Sequence, residues 1–179
     1  SHIKAGGAWN FIKSQTASGA ASVEFKNGVS DVVLDSTYIM YKLISYDMTA
    51  TADDSNTLIQ LSTDAGSSYI TSGYDTLNYR SRSDTSGVLT ETTGAMQLNN
   101  LGNSTNEEGA FEWNIINPSS GTTFAKYWYN AVTRDASARV GHFNGGGMYE
   151  ATSDIDALKV LQNSGNISGT FKLYGLSGS

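Results

Sequence analysis

The sequence predicts an all-β protein: an antiparallel β-sandwich with a jelly-roll-like arrangement and at most one short helical turn. Short alternations of apolar and polar residues recur at intervals of roughly 8–16 residues, separated by clusters of Gly, Ser, Asn and Asp. Almost no segment has apolar residues at helical spacing. Ser, Thr, Asn and Gly make up 75 of the 179 residues, whereas 16% are charged. Two packed sheets hide most of the edges that so many short strands would otherwise expose.

Eleven segments have this strand character. The second alternates cleanly, and the turn dipeptide Asn27-Gly28 follows it. The third is long and carries apolar side chains on both faces, so we expect a central strand that is covered on both sides. The predicted strands lie at residues 9–13, 21–25, 37–48, 57–63, 76–82, 95–98, 111–116, 124–133, 139–143, 158–161 and 169–175.

Three other segments are predicted not to be strands. Residues 83–93 are small and polar, which predicts a mobile connection. Gly145-Gly146-Gly147 predicts a flexible turn, because no helix follows it to complete a phosphate-binding loop. Residues 153–157 begin with an N-cap candidate and predict one helical turn before the next strand.

Length and composition predict a single sandwich domain at residues 7–179, preceded by a cloning remnant and leader at residues 1–6. The chain has no cysteine, which excludes disulfides, thiolate catalysis and cysteine-based metal sites. Its net charge is −6 and it has no basic stripe, so we expect no nucleic-acid partner. No apolar run approaches the length of a membrane span, so we expect no membrane insertion.

Residues 62–69 follow the Asp-box pattern, Ser-x-Asp-x-Gly-x-x-aromatic, with Tyr69 at the aromatic position. Asp64 and Gly66 are predicted to build a structural turn, because the carboxylate accepts hydrogen bonds from turn N–H groups and glycine adopts a positive φ. Asp-boxes are frequent in sialidases but lie away from the chemistry there. The motif therefore predicts a turn and no catalytic site.

The other polar candidates give weak signals. Asp53, Asp54 and Asn56 offer oxygen ligands for Ca²⁺, but a solvated turn is commoner than a site without a full ligand pattern. We expect no metal site and no cofactor. Glu107-Glu108 is predicted to be a solvated loop tip. His142 cannot build a histidine-rich zinc site by itself and is predicted to be a structural or surface residue. Paired carboxylates for glycoside hydrolysis could come from strand residues, namely Glu24, Glu112 and Glu150.

Two aromatic groups are the candidate ligand-binding residues. In the first, tyrosines and an arginine surround a Ser/Gly-rich loop. In the second, Trp128 must point to the opposite face of its strand from its neighbours Tyr127 and Tyr129, so one face is core and the other is either buried or an exposed ledge. Such ledges bind sugars by stacking. The candidate residues are Tyr69, Tyr74, Tyr79, Arg80, Trp128 and Tyr129.

A set of segments in a fixed order spans most of the chain, and the last of them, SGNISGTFKLYGL, is the most specific. They lie at residues 9–17, 21–25, 38–43, 61–69, 116–118, 145–147, 152–158 and 164–176. In this order they resemble a family of β-rich virion proteins of marine, cyanophage-like bacteriophages. Ala65 departs from the pattern, which has a second glycine there.

The resemblance implies a non-enzymatic module on the virion surface, in a tail fibre, a spike or a head decoration. It implies other virion proteins and a host-surface polysaccharide as partners, and it provides no catalytic motif. Repeated copies raise avidity, which favours a symmetric oligomer such as a homotrimer. Two alternatives remain: a carbohydrate-binding module of a larger enzyme, or a glycan-active enzyme on a jelly-roll scaffold.

Overall fold

A computed structural model describes residues 7–92 and 94–178. In it the chain forms twelve strands in two antiparallel sheets packed as a sandwich, which confirms the predicted fold class. Within these residues there is no helix, and hence none that could span a membrane. The strands are β1 (Trp9–Ala20), β2 (Ser22–Lys26), β3 (Met40–Ala50), β4 (Ser55–Ser62), β5 (Tyr74–Arg82), β6 (Thr85–Thr92), β7 (Met96–Leu101), β8 (Gly109–Ile116), β9 (Ala125–Arg134), β10 (Val140–Tyr149), β11 (Ala157–Gln162) and β12 (Ile167–Leu176).

Eight of the strands pair as a jelly roll. β1, β2, β3 and β4 pair with β12, β11, β8 and β7, as if one long hairpin had been folded. The hairpin is then rolled up, so that β12 also pairs with β3 and β11 with β4. The result is one sheet in the order β1-β12-β3-β8 and a second in the order β2-β11-β4-β7.

The other four strands extend the first sheet beyond β8 in the order β9-β10-β5-β6. The hairpin β5–β6 is inserted between β4 and β7, and the hairpin β9–β10 between β8 and β11. We call these four strands the extension. β7, the edge strand of the smaller sheet, contacts β9, β10 and β5. It covers the inner face of the extension. Among the described residues, no strand packs on the outer face of the eight-stranded sheet.

The core lies between the two sheets, where the alternation of buried and exposed residues matches the pleat of each strand. In β12, Ile167, Phe171 and Leu173 point inward, while Lys172 and Tyr174 point outward. Trp113 of β8 is the largest fully buried side chain. Burial of this apolar set is the main stabilising contribution to the jelly roll.

Four local predictions are wrong. Residues 85–92 of the predicted mobile connection form β6, and the three glycines lie inside β10, paired on both sides, instead of in a turn. Residues 152–156 are irregular instead of helical, because the Ile155 and Asp156 N–H groups donate to the Pro118 and Ser62 carbonyls. β3 is central as predicted, but only its inner face is covered; Tyr46 on the outer face is exposed.

Candidate functional site

The outer face of the extension carries exposed apolar side chains on β9 and β5. On β9, Trp128 is 40% exposed, and its two neighbours Tyr127 and Tyr129 point to the core. On β5, Leu77 and Tyr79 are 52% and 45% exposed. Soluble proteins rarely leave large aromatic side chains grouped at the surface without a binding role.

Gly146 separates Trp128 from Leu77. It is paired with Trp128 on β9 and with Leu77 on β5, so the two side chains stand two strands apart, about 10 Å. A side chain at Gly146 would lie 2.9 Å from the Tyr127 carbonyl oxygen. The glycine thus leaves a slot with backbone as its floor. We call it the Trp128 slot.

Amide side chains lie at one end of the Trp128 slot. Asn130 of β9 pairs with Asn144 of β10, which pairs with Tyr79 of β5. Asn130, Asn144 and Tyr79 each lie two residues along their strands from the row formed by Trp128, Gly146 and Leu77. They are therefore on the same outer face, about 7 Å from that row. The site combines apolar and aromatic walls with polar groups at one end, the usual composition of a small-ligand site.

The inner face fixes the geometry of the slot. Tyr129 reaches across Gly145, where an added Cβ would lie 2.7 Å from its ring, and its hydroxyl donates to Asn78 Oδ1 at 2.8 Å. Tyr127 reaches across Gly147 in the same way and its hydroxyl hydrogen-bonds the Thr76 hydroxyl. Burial raises the pKa of Tyr127 to about 12 and also raises that of Tyr129, so both hydroxyls stay protonated.

An apolar depression of about 340 Å³ lies beside the slot, over β8. We call it the Ala110 depression. Its lining includes Ala110, Tyr46, Ile44 and Val132 together with Glu112 and Asn130, and only apolar surface is exposed to it. Asn130 is therefore shared by the slot and the depression.

Glu112 is held in the ionised form. Its Oε1 lies 3.0 Å from Lys42 Nζ and accepts a hydrogen bond from Asn114 Nδ2 at 3.1 Å. Burial acts to raise the pKa of Glu112, but these contacts outweigh it and hold the pKa below its usual value. The carboxylate is half-exposed and can accept a hydrogen bond from a ligand.

Only two of the six sequence-predicted residues, Tyr79 and Trp128, are exposed on the outer face of the extension. They stand two strands apart, and the Tyr79 ring reaches over Gly87 of β6, away from Trp128. Tyr74 and Tyr129 are buried; the Tyr74 hydroxyl accepts from the Leu61 N–H at 2.8 Å. Arg80 points to the inner face of β5 and is half-buried. These three residues therefore do not line the ledge.

Tyr69, the sixth residue, packs on the opposite side of the sandwich. Its ring lies under the Lys159 ammonium, 4.1 Å from the centroid. Burial, together with the Glu24 charge, raises the pKa of Tyr69. Its place is at the end of the Asp-box turn, on the outer surface of the smaller sheet, and it does not contribute to the Trp128 slot.

The Asp-box forms the predicted turn. Asp64 Oδ1 accepts from the Ser68 N–H at 2.9 Å, and Oδ2 accepts from the Ser68 hydroxyl at 2.6 Å. These bonds lower the pKa of Asp64 to about 2. Ala65 and Gly66 both have positive φ, 58° and 72°, so the alanine occupies a position that favours glycine.

The candidate carboxylates do not converge. Glu24 lies on the outer face of the smaller sheet and Glu112 on that of the larger one. Glu150 follows β10. It lies six residues beyond Asn144, which is level with Glu112 across the sheet, so Glu150 and Glu112 are separated by roughly 20 Å along the strand direction. Among the described residues, no three His, Asp or Glu side chains are grouped so that they could hold a metal ion. This holds for the acidic pair Asp53-Asp54 and its surroundings as well.

Two further polar predictions have different outcomes. Glu107 is buried and its Oε2 accepts from the Ser104 N–H at 2.9 Å, so the predicted solvated loop tip is wrong at this residue. Gly102 leaves the room for that carboxylate. His142 is exposed on the outer face, beside Val132.

Sequence reasoning missed the slot residues Leu77, Asn130, Asn144 and Gly146. Strand parity was the available signal for Leu77, since it shares a face with Tyr79. The glycine carried no such signal. Comparison with known proteins adds no assignment: no protein-family model matches the chain, and no curated protein matches its sequence significantly.

Proposed function

We propose that the protein is a non-enzymatic adhesion module of a phage particle, which binds a host-surface polysaccharide in the Trp128 slot. The observation that carries this proposal is the exposed ring of Trp128 beside the backbone floor at Gly146. A sugar ring that stacks on the indole would lie over Gly146 and meet Leu77 on the other side. The apolar faces of sugars pack on aromatic rings, and the hydroxyl edges need hydrogen-bond partners.

The amides of Asn130 and Asn144 are suitable partners, because each amide both donates and accepts hydrogen bonds. The walls of the slot stand on β9 and β5, both paired on either side within the sheet. A site on such strands is already ordered before the ligand arrives, so less conformational entropy is lost on binding. Separation of Glu24, Glu112 and Glu150 argues against a glycosidase, since hydrolysis needs two carboxylates about 5–9.5 Å apart.

The particle location rests on the sequence resemblance alone. Head, spike and fibre modules are repeated on a virion, and repetition turns weak single-site binding into strong attachment. A homotrimer, other virion proteins as neighbours and a place at the virion surface belong to the same proposal. Mass measurement by light scattering tests the trimer; a monomer at high concentration would contradict it.

Binding to an array of bacterial surface oligosaccharides, followed by calorimetric titration of the strongest binder, tests the ligand. Trp128→Ala should weaken binding at least about tenfold, since loss of one stacking ring removes 1.4 kcal/mol or more. Phe124→Ala is the matched control, because Phe124 is similarly exposed at 38% but lies before β9, outside the slot. Binding unaffected by Trp128→Ala, or no binding to any glycan, would contradict the proposal.

A further inference from the structure

A second exposed indole lies on the same outer face as the Trp128 slot. Trp9 of β1 is 37% exposed, and Lys42 Nζ of β3 lies 4.6 Å from the centroid of its ring. Because β12 lies between β1 and β3, the Trp9 side chain extends across β12 to meet Lys42. Trp128 stands on β9, two strands beyond Lys42, so the two indoles are roughly 10–15 Å apart.

Polar contacts connect the surface between the two indoles. Lys42 Nζ lies 3.0 Å from Glu112 Oε1, and the same oxygen accepts a hydrogen bond from Asn114 Nδ2 at 3.1 Å. Asn114 is 1% exposed and lies directly opposite both Lys42 on β3 and Trp128 on β9. It therefore forms a low floor on one side of Trp128, as Gly146 does on the other side.

The register places apolar and polar side chains in two neighbouring rows that run across the strands, about 7 Å apart. The first row is Phe11, Tyr174, Lys42, Asn114, Trp128, Gly146 and Leu77. The second row is mostly polar and consists of Ser14, Lys172, Ile44, Glu112, Asn130, Asn144 and Tyr79. We call the two rows, with Trp9 beside the first, the cross-strand track. A pyranose chain has the same division, since its ring faces pack on aromatic groups and its hydroxyl edges need hydrogen-bond partners.

We propose that Trp9 and Trp128 are two stacking subsites of the cross-strand track, which binds the interior of a linear β1→4-linked polysaccharide running across the strands; this inference rests on the proposed function. A pyranose unit is about as long as the roughly 4.8 Å between strands, so successive units lie over successive strands. A β1→4-linked chain is extended and follows an open sheet face, whereas a helical chain leaves it after one or two units. The Lys42 ammonium already holds the Trp9 ring, so less conformational entropy is lost on stacking.

Other occupants fit less well. A terminal sugar or a disaccharide would stack on one indole and leave the other without a role. A second copy of the chain over this face would bury the charges of Lys42, Lys172 and Glu112, and such charges are depleted at the centre of protein interfaces. The experiment below includes both of these outcomes.

The probes are the two-unit and six-unit members of the cello-, xylo-, manno- and N-acetylchito-oligosaccharides, all of which are β1→4-linked. In the series that binds most tightly, we expect calorimetric titration to give at least about tenfold tighter binding of the six-unit member, because only it reaches both indoles. Trp9→Ala should reduce this ratio to below about threefold and leave the affinity for the two-unit member, which occupies the Trp128 slot, unchanged. That unchanged affinity also shows that the variant folds. Trp9→Phe keeps a stacking ring and should retain the preference.

Tyr46→Ala is the matched control. Tyr46 is an aromatic residue on the same outer face and is 38% exposed, but it lies four residues along β3 from Lys42, about 13 Å. Both affinities should stay at their wild-type values in this variant. Loss of the six-unit preference in Tyr46→Ala but not in Trp9→Ala would show that the chain runs along the strands and would overturn the inference. So would a lower oligomeric mass of Trp9→Ala by light scattering with the preference intact, because Trp9 would then contact a second copy.

The two proposals fail differently. Equal affinity for the two-unit and six-unit members, with both lost in Trp128→Ala, overturns this inference and leaves the proposed function standing. Binding through Trp128 that is confined to glycans outside the four β1→4-linked series has the same meaning. No binding to any glycan, or binding that Trp128→Ala leaves unchanged, overturns both.

Discussion

The jelly roll and the extension share one sheet but are held together differently. Inward-pointing side chains of the jelly roll are large and apolar, such as Leu43, Trp113 and Phe171. Those of the extension include hydroxyls and amides, such as Thr76 and Asn78, and two tyrosines that cross glycines on the neighbouring strand. The jelly roll is therefore stabilised mainly by burial of apolar side chains, whereas the extension combines the burial of aromatic rings with buried hydrogen bonds and close backbone contact.

Ion pairs also connect the strands at one end of the extension. The Asp135 carboxylate, which is buried, lies 2.8 Å from Arg139 Nη2 and 3.3 Å from Arg82 Nη1. Asp84, in the β5–β6 turn, lies 2.7 Å from Arg139 Nη1. These pairs join the β5–β6 turn to the β9–β10 turn. The candidate site thus stands on four strands whose register is fixed by polar contacts. Substitutions placed separately in the jelly roll and in the extension should therefore act through different contributions to stability.

Phe171→Ala should have the largest effect. The side chain is fully buried between the sheets and packs near Phe111, 6.4 Å between ring centroids. Truncating such a residue removes transfer free energy and leaves a cavity, which together destabilise by about 3–5 kcal/mol. Urea unfolding of the wild-type protein and the variant measures this loss of free energy. A loss below about 1 kcal/mol would contradict the assignment of the jelly roll as the apolar core.

Gly147→Ala should come next, with a loss of roughly 1–3 kcal/mol or more from overpacking. The added Cβ would overlap the Asp75 carbonyl oxygen, so β5 and β10 must separate. Hydrogen exchange of β5 amides should accelerate more than that of β12 amides. Gly121→Ala is the control, since nothing lies within 4 Å of a Cβ there. Equal stability of the two variants would show that β10 does not approach β5 this closely.

Tyr129→Phe should destabilise by about 1 kcal/mol, because it deletes the buried hydroxyl that donates to Asn78 and keeps the ring over Gly145. Tyr79→Phe, at an exposed position on β5, should change the free energy of unfolding by less than about 0.5 kcal/mol. The difference between the two variants measures how far the extension depends on its inner hydrogen bonds. Equal free energies of unfolding for the two variants would contradict the claim that the extension depends on these hydrogen bonds.

The Asp-box turn should give the smallest effect, which appears as a loss of stability in acid. The pKa of Asp64 is about 2 in the fold against an unperturbed 3.8, so its stabilising contribution is fully present above about pH 4 and is lost as the pH falls through about 2. Asp64→Asn should lack this part of the pH dependence. Unfolding curves between pH 5 and pH 2 measure it, and parallel curves for the two proteins would contradict the proposed role of the carboxylate.

The same contrast explains what could be predicted from the sequence. In β8, Phe111 and Trp113 alternate with polar neighbours, and such alternation is the signal from which strands are predicted. In β10, glycine has no side chain to alternate, and the atoms that need the three glycines lie on the neighbouring strands: the Tyr129 ring at Gly145, the Tyr127 carbonyl at Gly146 and the Asp75 carbonyl at Gly147. The order of residues within β10 does not reveal these contacts, because the contacting atoms lie on other strands.

The site was predictable in part for the same reason. Parity along β9 required Trp128 to oppose its two tyrosine neighbours, and the structure has that arrangement. Parity also separates Tyr74 from Tyr79, since five residues apart on one strand puts them on opposite faces. The Ala110 depression was not predictable, because it depends on the register that brings β3 and β9 to either side of β8.

Tryptophan fluorescence tests the central claim, that glycan contacts Trp128, most directly. The chain has three tryptophans: Trp113 is buried, and replacing Trp9 by Phe leaves Trp128 as the one exposed indole. Titrating Trp9→Phe with the strongest-binding oligosaccharide should shift its emission to the blue and protect it from acrylamide quenching, with the same midpoint as the heat of binding. Calorimetric binding with unchanged emission and quenching would place the sugar elsewhere and contradict the account.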